Sequence, residues 1–141
     1  MRAKVIKISC ILWLWFLGCT FSWRFGKIRL VDGMGFKSVE FGFLLLYTGG
    51  IVAYLFWESV GTWFLLAELS LWLVVQFFSH EFYTIFGADP QKLKSYNKCF
   101  EGTVKLFPIS ETRLIPDLYH IVLHLLIAAD LVLVIVAICL K

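Results

Sequence analysis

Apolar residues along the chain gather into four long runs: Val5 to Trp23, Phe41 to Trp57, Thr62 to Phe78 and Leu118 to Leu140. Each is about 17 residues or longer, which is too long for a strand and long enough for a helix to cross a bilayer. The pattern predicts an all-α fold, a polytopic membrane protein built as a bundle of four transmembrane helices in one domain, 1–141. Only Glu58 to Gly61 separates the second and third runs, so those two should form a tight antiparallel hairpin. Gly42, Gly49, Gly50 and Ala53 in the second run are small residues at helical spacing. Such residues let helix backbones approach closely in lipid.

The polar stretches predict the rest. Arg24 to Ser38 is a connector with turn signals at Asp32-Gly33 and Gly35, and Ser38 is placed to cap the next helix. Between the third and fourth runs, Asp89 before Pro90 marks a helix start, a capping side chain followed by proline in the first turn. Leu93, Tyr96, Phe100, Val104 and Phe107 then recur every three or four residues, with Lys92, Lys94, Lys98 and Lys105 mainly off that stripe. This predicts an amphipathic helix over about 90–107, lying at the interface among anionic headgroups with its stripe buried. Gly102 weakens its second half, and Pro108 and Pro116 bracket an irregular link.

Composition sharpens the class. The chain is 60% hydrophobic and 16% charged, with a mean hydropathy of +0.84. A soluble domain carries roughly a quarter charged residues, so this chain lacks the polar surface to coat a globule. The net charge of +3 is too small and too dispersed for a nucleic-acid binder. The two loops, 24–38 and 79–116, hold nine Lys and Arg against four at the termini, which places both loops in the cytoplasm. The basic cluster Arg2, Lys4 and Lys7 opposes that orientation. With Phe16-Leu17-Gly18-Cys19 it also resembles a signal peptide, although bulky Trp13 and Trp15 favour a retained first helix. Cys10, Cys19, Cys99 and Cys139 have neither CxxC nor metal-ligand spacing and read as structural.

Ionisable side chains inside apolar runs are costly and need a reason. Glu68 and Asp130 lie roughly 16 and 20 Å from the long loop, near the midplane of a ~30 Å core. Brought together, the two carboxyls would share a proton or hold a cation; kept apart, each would join helices by a hydrogen bond. His80, His120 and His124 fall at the loop-side ends of the third and fourth runs, flanked by Glu81 and Asp117. Asp117, His120 and His124 share one helical face, a spacing that suits a metal, and histidines from two helices suit a haem. The competing reading makes Asp117 a helix cap and the histidines interfacial residues.

Three functions follow. The leading one is an accessory or assembly protein, not an enzyme, acting through contacts with other copies or with partner membrane subunits. The second is proton- or cation-coupled transport through Glu68, Asp130 and His124. The third is a metal or haem redox protein using His80, Glu81, Asp117, His120 and His124.

Overall fold

The computed structural model describes residues 1–140 and is mostly helical. Helix α1 runs Arg2–Thr20, α2 Val39–Phe56 and α3 Glu58–Gln76. A π turn at Phe77–Glu81 carries α3 without a break into α4, Phe82–Phe86. Helix α5 spans Pro90–Cys99 and α6 Leu118–Cys139. Four of these helical stretches are long and apolar enough to cross a membrane: Arg2–Thr20, Val39–Phe56, Glu58–Phe86 and Leu118–Cys139.

They form a closed ring in which α1 touches α2, α2 touches α3, α3 touches α6 and α6 returns to α1. Chain direction alternates, so the N-terminus, the α2–α3 turn and the end of α6 share one end of the bundle. Arg2 ties that end together, donating to the Leu55 carbonyl at 2.5 Å and approaching Glu58 at 3.7 Å. Leu12, Phe16, Tyr47, Leu65, Leu69, Trp72, Leu123, Ile127 and Val134 fill the axis and are buried.

Two close approaches set the packing. A Cβ at Gly61 would sit 2.1 Å from the Tyr54 backbone nitrogen and 2.6 Å from the Ala53 carbonyl carbon. Trp57 alone separates α2 from α3, and this contact is what lets so short a turn close. A Cβ at Gly18 would collide with the Tyr119 ring, so glycine is what brings α1 against α6. Of the glycines expected to pack α2, Gly50 does so, facing Leu65 and Phe64. A Cβ at Gly42 or Gly49 would meet no described atom within 4 Å. Those two face outward, because only one side of α2 meets the rest of the chain.

The elements depart from the sequence pattern in three places. The first helix stops at Thr20, and Trp23–Phe25 pairs with Ile28–Val31 as a small antiparallel hairpin, β1 and β2. Gly26 turns it with a positive φ of 61°. The third apolar stretch runs eight residues past Phe78, to Phe86. The amphipathic helix ends at Cys99 rather than near 107, because Gly102 takes a φ of +75° that no helix continues through. Its apolar stripe packs on protein: Leu93 is buried, Tyr96 bonds His80, and the Phe100 ring lies 5.0 Å from that of His120. The expected caps form, Ser38 accepting from the Phe41 N–H and Asp89 from Gln91 and Lys92.

Candidate functional site

Two polar clusters interrupt the apolar bundle. The first lies at mid-length. Asp130 of α6 is fully buried and accepts the Ser9 hydroxyl of α1 at 2.9 and 3.1 Å and the Tyr47 hydroxyl of α2 at 2.5 Å. One carboxyl therefore joins three helices, and both its oxygens are occupied. Glu68 stands one wall away, against α2 at Gly50, where an added Cβ would come within 3.4 Å of Oε2. Both Glu68 oxygens are buried and have no hydrogen-bond partner among the described residues. The direct Glu68–Asp130 pair envisaged from matching depth is thus not what forms: Asp130 turns to α1 and α2 instead.

The second cluster lies at the loop end. The π turn, in which the Phe82 N–H reaches back five residues to the Phe77 carbonyl, contains His80 and Glu81. Such wide turns recur at functional sites because they re-aim side chains on an otherwise regular helix. His80 stacks on His120 with ring centroids 4.9 Å apart and planes 27° from parallel, and His124 stands edge-on to His80 at 5.4 Å. So the structure does bring all three histidines together, from α6 and from the end of the α3 rod.

Their nitrogens are spent unevenly. His124 uses both, Nε2 on Gln76 at 3.0 Å and Nδ1 on Glu81. His80 uses Nδ1 on the Tyr96 hydroxyl at 3.1 Å. His120 uses Nδ1 on Asp117 at 2.7 Å. The same Asp117 oxygen also accepts the His120 backbone N–H at 2.9 Å, which makes Asp117 the N-cap of α6 as well as the ring's anchor. A carboxylate only accepts, so the His120 Nδ1 donates, and in the neutral ring Nε2 is left as a bare acceptor. Burial opposes ionisation of Asp117, but the hydrogen bonds it accepts from the His120 ring and backbone outweigh it and hold the carboxyl below its ordinary value. Burial pushes the Tyr96 phenol up, so it keeps its proton. The Nε2 atoms of His80 and His120 make no hydrogen bond with any described residue.

A cavity of about 260 Å³ is lined by these two histidines. Phe16, Phe43 and Trp72 form its apolar body, while Gln76, Ser79, His80, Thr103 and His120 form a polar wall. The β hairpin and α5 cap it through Val31, Asp32, Cys99 and Phe100. Met34, Val39 and Val75 also line it and are exposed, so they frame an apolar mouth. His124, with both nitrogens engaged, does not line the cavity.

Comparison with known proteins adds nothing to this geometry. No protein-family model, curated protein or solved structure matches the chain.

For the metal and haem readings, no three His, Cys, Asp or Glu side chains among the described residues gather so as to hold a metal ion. Four of the six ring nitrogens are turned away to Tyr96, Asp117, Gln76 and Glu81. Stacked faces also differ from haem ligation, where two imidazole nitrogens oppose each other across the ring. Nor do the two clusters connect. Leu12 and Phe16 on α1, Leu69 and Trp72 on α3 and Ile127 on α6 lie between them, each 2% exposed or less. Sequence reasoning passed over Ser9, Tyr47 and Tyr96 and set Gln76 beside the buried carboxyls rather than on His124. The first two were traceable, being polar groups in apolar helices at the depth of Asp130.

Proposed function

We propose that this is a multi-pass integral membrane protein whose work is binding: it takes a small amphipathic molecule into the loop-end cavity. The cavity is the single observation that carries this reading. Its body is aromatic, its wall holds two histidines with unspent nitrogens, and its mouth is lined by exposed apolar residues. Ligand sites combine a mostly apolar concavity with a few placed polar groups, and this one does so at a volume below that of drug-sized pockets. An apolar mouth suits a ligand that arrives from lipid rather than from water.

Membrane insertion rests on the four apolar helices and on their composition. Leu45, Leu46, Val52, Phe56, Phe64, Leu71, Leu125 and Val132 are exposed on the bundle's flanks, which suits acyl chains and would aggregate in water. Trp57 and Trp63, exposed near the α2–α3 turn, fit an interfacial belt. The accessory role expected from sequence takes a more concrete form here, since a bound small molecule can govern which partner the outward face of α2 accepts. Transport draws less support, because the buried apolar layer interrupts any file of polar groups between the clusters.

The test is native mass spectrometry of the full chain released from mild detergent, beside Val75→Trp, which narrows the mouth at an exposed position. The expected result is a co-purifying small molecule that Val75→Trp loses. A chain that leaves the membrane unoccupied, and that takes up no amphipathic probe when one is added, would overturn the reading.

A further inference from the structure

We propose that the ligand is a phenol: a flat apolar ring bearing a free hydroxyl, of the kind found in membrane quinols. The inference rests on the binding reading above and names its chemistry. It follows from the two nitrogens the protein does not use. Asp117 accepts the hydrogen bond from Nδ1–H of the neutral His120 ring, so His120 offers Nε2 as an acceptor. His80 Nδ1 and the Tyr96 hydroxyl share one hydrogen bond at 3.1 Å, and in the tautomer this proposal assigns the hydroxyl donates, so His80 offers Nε2–H as a donor. The rings are stacked at 4.9 Å and line the same cavity, which sets a donor and an acceptor side by side.

A hydroxyl satisfies both at once, donating to His120 and accepting from His80. A carbonyl or an ether only accepts, and would leave the His120 nitrogen unmet. A site built to hydrogen-bond a hydroxyl rejects the analogue that lacks it, because its own polar group is left unpaired. An anionic headgroup is disfavoured by Glu40, which lines the same cavity. The remaining wall is aromatic, with Phe16, Phe43, Trp72 and Phe100 placed to pack on a ring, and the volume suits one or two fused rings rather than a whole lipid. Binding alone is inferred; no electron leaves the ligand.

The experiment titrates the detergent-purified full chain with 1-naphthol and with its O-methyl ether, 1-methoxynaphthalene. Trp72, on the cavity wall, reports occupancy by fluorescence, and calorimetry gives the affinities. Naphthol should bind about tenfold more tightly than the ether, the upper range for one well-placed neutral hydrogen bond. His120→Phe, which keeps the ring and removes the acceptor, should erase that preference while leaving ether binding in place. Equal affinities for naphthol and ether, or a naphthol preference that survives His120→Phe, would overturn the phenol assignment while the binding reading stands. Failure of both compounds to bind the folded wild-type chain would overturn both. Quinol and simple phenol are then separated by comparing 1,4-naphthohydroquinone, kept reduced, with naphthol: tighter quinol binding identifies the second hydroxyl as recognised.

Discussion

The mid-length cluster and the loop-end cluster are both buried, both polar and both built across helices, yet they are finished differently. Around Asp130 every group has its partner inside the chain: two carboxylate oxygens meet the Ser9 and Tyr47 hydroxyls. Around His80 and His120 the chain supplies anchors for Nδ1 and leaves Nε2 without a partner among the described residues, on two rings that line a cavity of about 260 Å³. Satisfied buried networks fix a unique packing, whereas a buried network with groups to spare is a place for something else to bind. Polarity and depth alone do not separate glue from site. The count of unspent donors and acceptors, taken with open space beside them, does.

Removing the glue should show the largest effect. Asp130→Ala strands two buried hydroxyls on different helices. Losing one partner of a buried hydrogen bond costs about 1–3 kcal/mol, and interhelical bonds in lipid fall toward the low end of that range. A loss of about 2 kcal/mol is therefore expected in an unfolding titration with sodium dodecyl sulfate in mixed micelles. Asp130→Asn, which keeps a carbonyl acceptor, should lose less than half as much. Naphthol affinity measured under folding conditions should not move in either variant. An affinity that falls with Asp130 would join the two clusters and dissolve the distinction between them.

Asp117 tests the other cluster at smaller energy. Replacing a capping Asp by Ala costs about 1 kcal/mol, while Asn caps a helix about as well as Asp. Asp117→Ala should therefore destabilise by about 1 kcal/mol and also weaken naphthol binding, because the His120 ring loses the acceptor that sets its tautomer. Asp117→Asn should recover the stability. The same residue gives a pH dependence. Its carboxyl is held below the ordinary value of 3.8, so the folded state binds its proton less readily than the unfolded chain does. Its stabilising contribution is therefore fully present above about pH 4 and is lost as pH falls through the folded value. An acid titration of stability should show this limb in the wild type and lack it in Asp117→Asn.

Much of this arrangement is legible in the sequence. Four apolar runs gave four helices of spanning length, and 100° per residue put Asp117 and the two α6 histidines on one face. Depth arithmetic placed Glu68 and Asp130 near mid-length, but depth is one coordinate of three. Which helix a carboxyl turns to depends on rotation about the axis and on the order of helices in the ring, and neither is written in hydropathy. The π turn was hidden for a related reason. Phe77 to Glu81 reads as the end of a span, and the extra residue in the turn is stabilised by tertiary contacts of His80 with Tyr96 and His120 rather than by local propensity. The early end of α5 was half visible at Gly102, whose positive φ stops the helix that the apolar stripe would have continued.

Glu68 marks the smallest effect and the finest cut through the comparison. It is as deep as Asp130 and nearly as buried, but its oxygens reach no donor among the described residues. A buried carboxyl with no partner stabilises nothing, and an apolar side chain of similar size in its place avoids the cost of keeping a polar group dry. Glu68→Met should therefore leave stability unchanged or raise it by up to about 1 kcal/mol, the reverse of Asp130→Ala on the same bundle. Glu68→Gln, which keeps the polar atoms orphaned, should change it little. Both are read in the same detergent titration. If Glu68→Met proves as costly as Asp130→Ala, then Glu68 holds a partner that joins the bundle in the membrane, and the mid-length cluster is a site rather than glue. If it proves neutral, Asp130 alone carries the cross-bundle bonding, and the open chemistry of the molecule is confined to the histidines at the loop end.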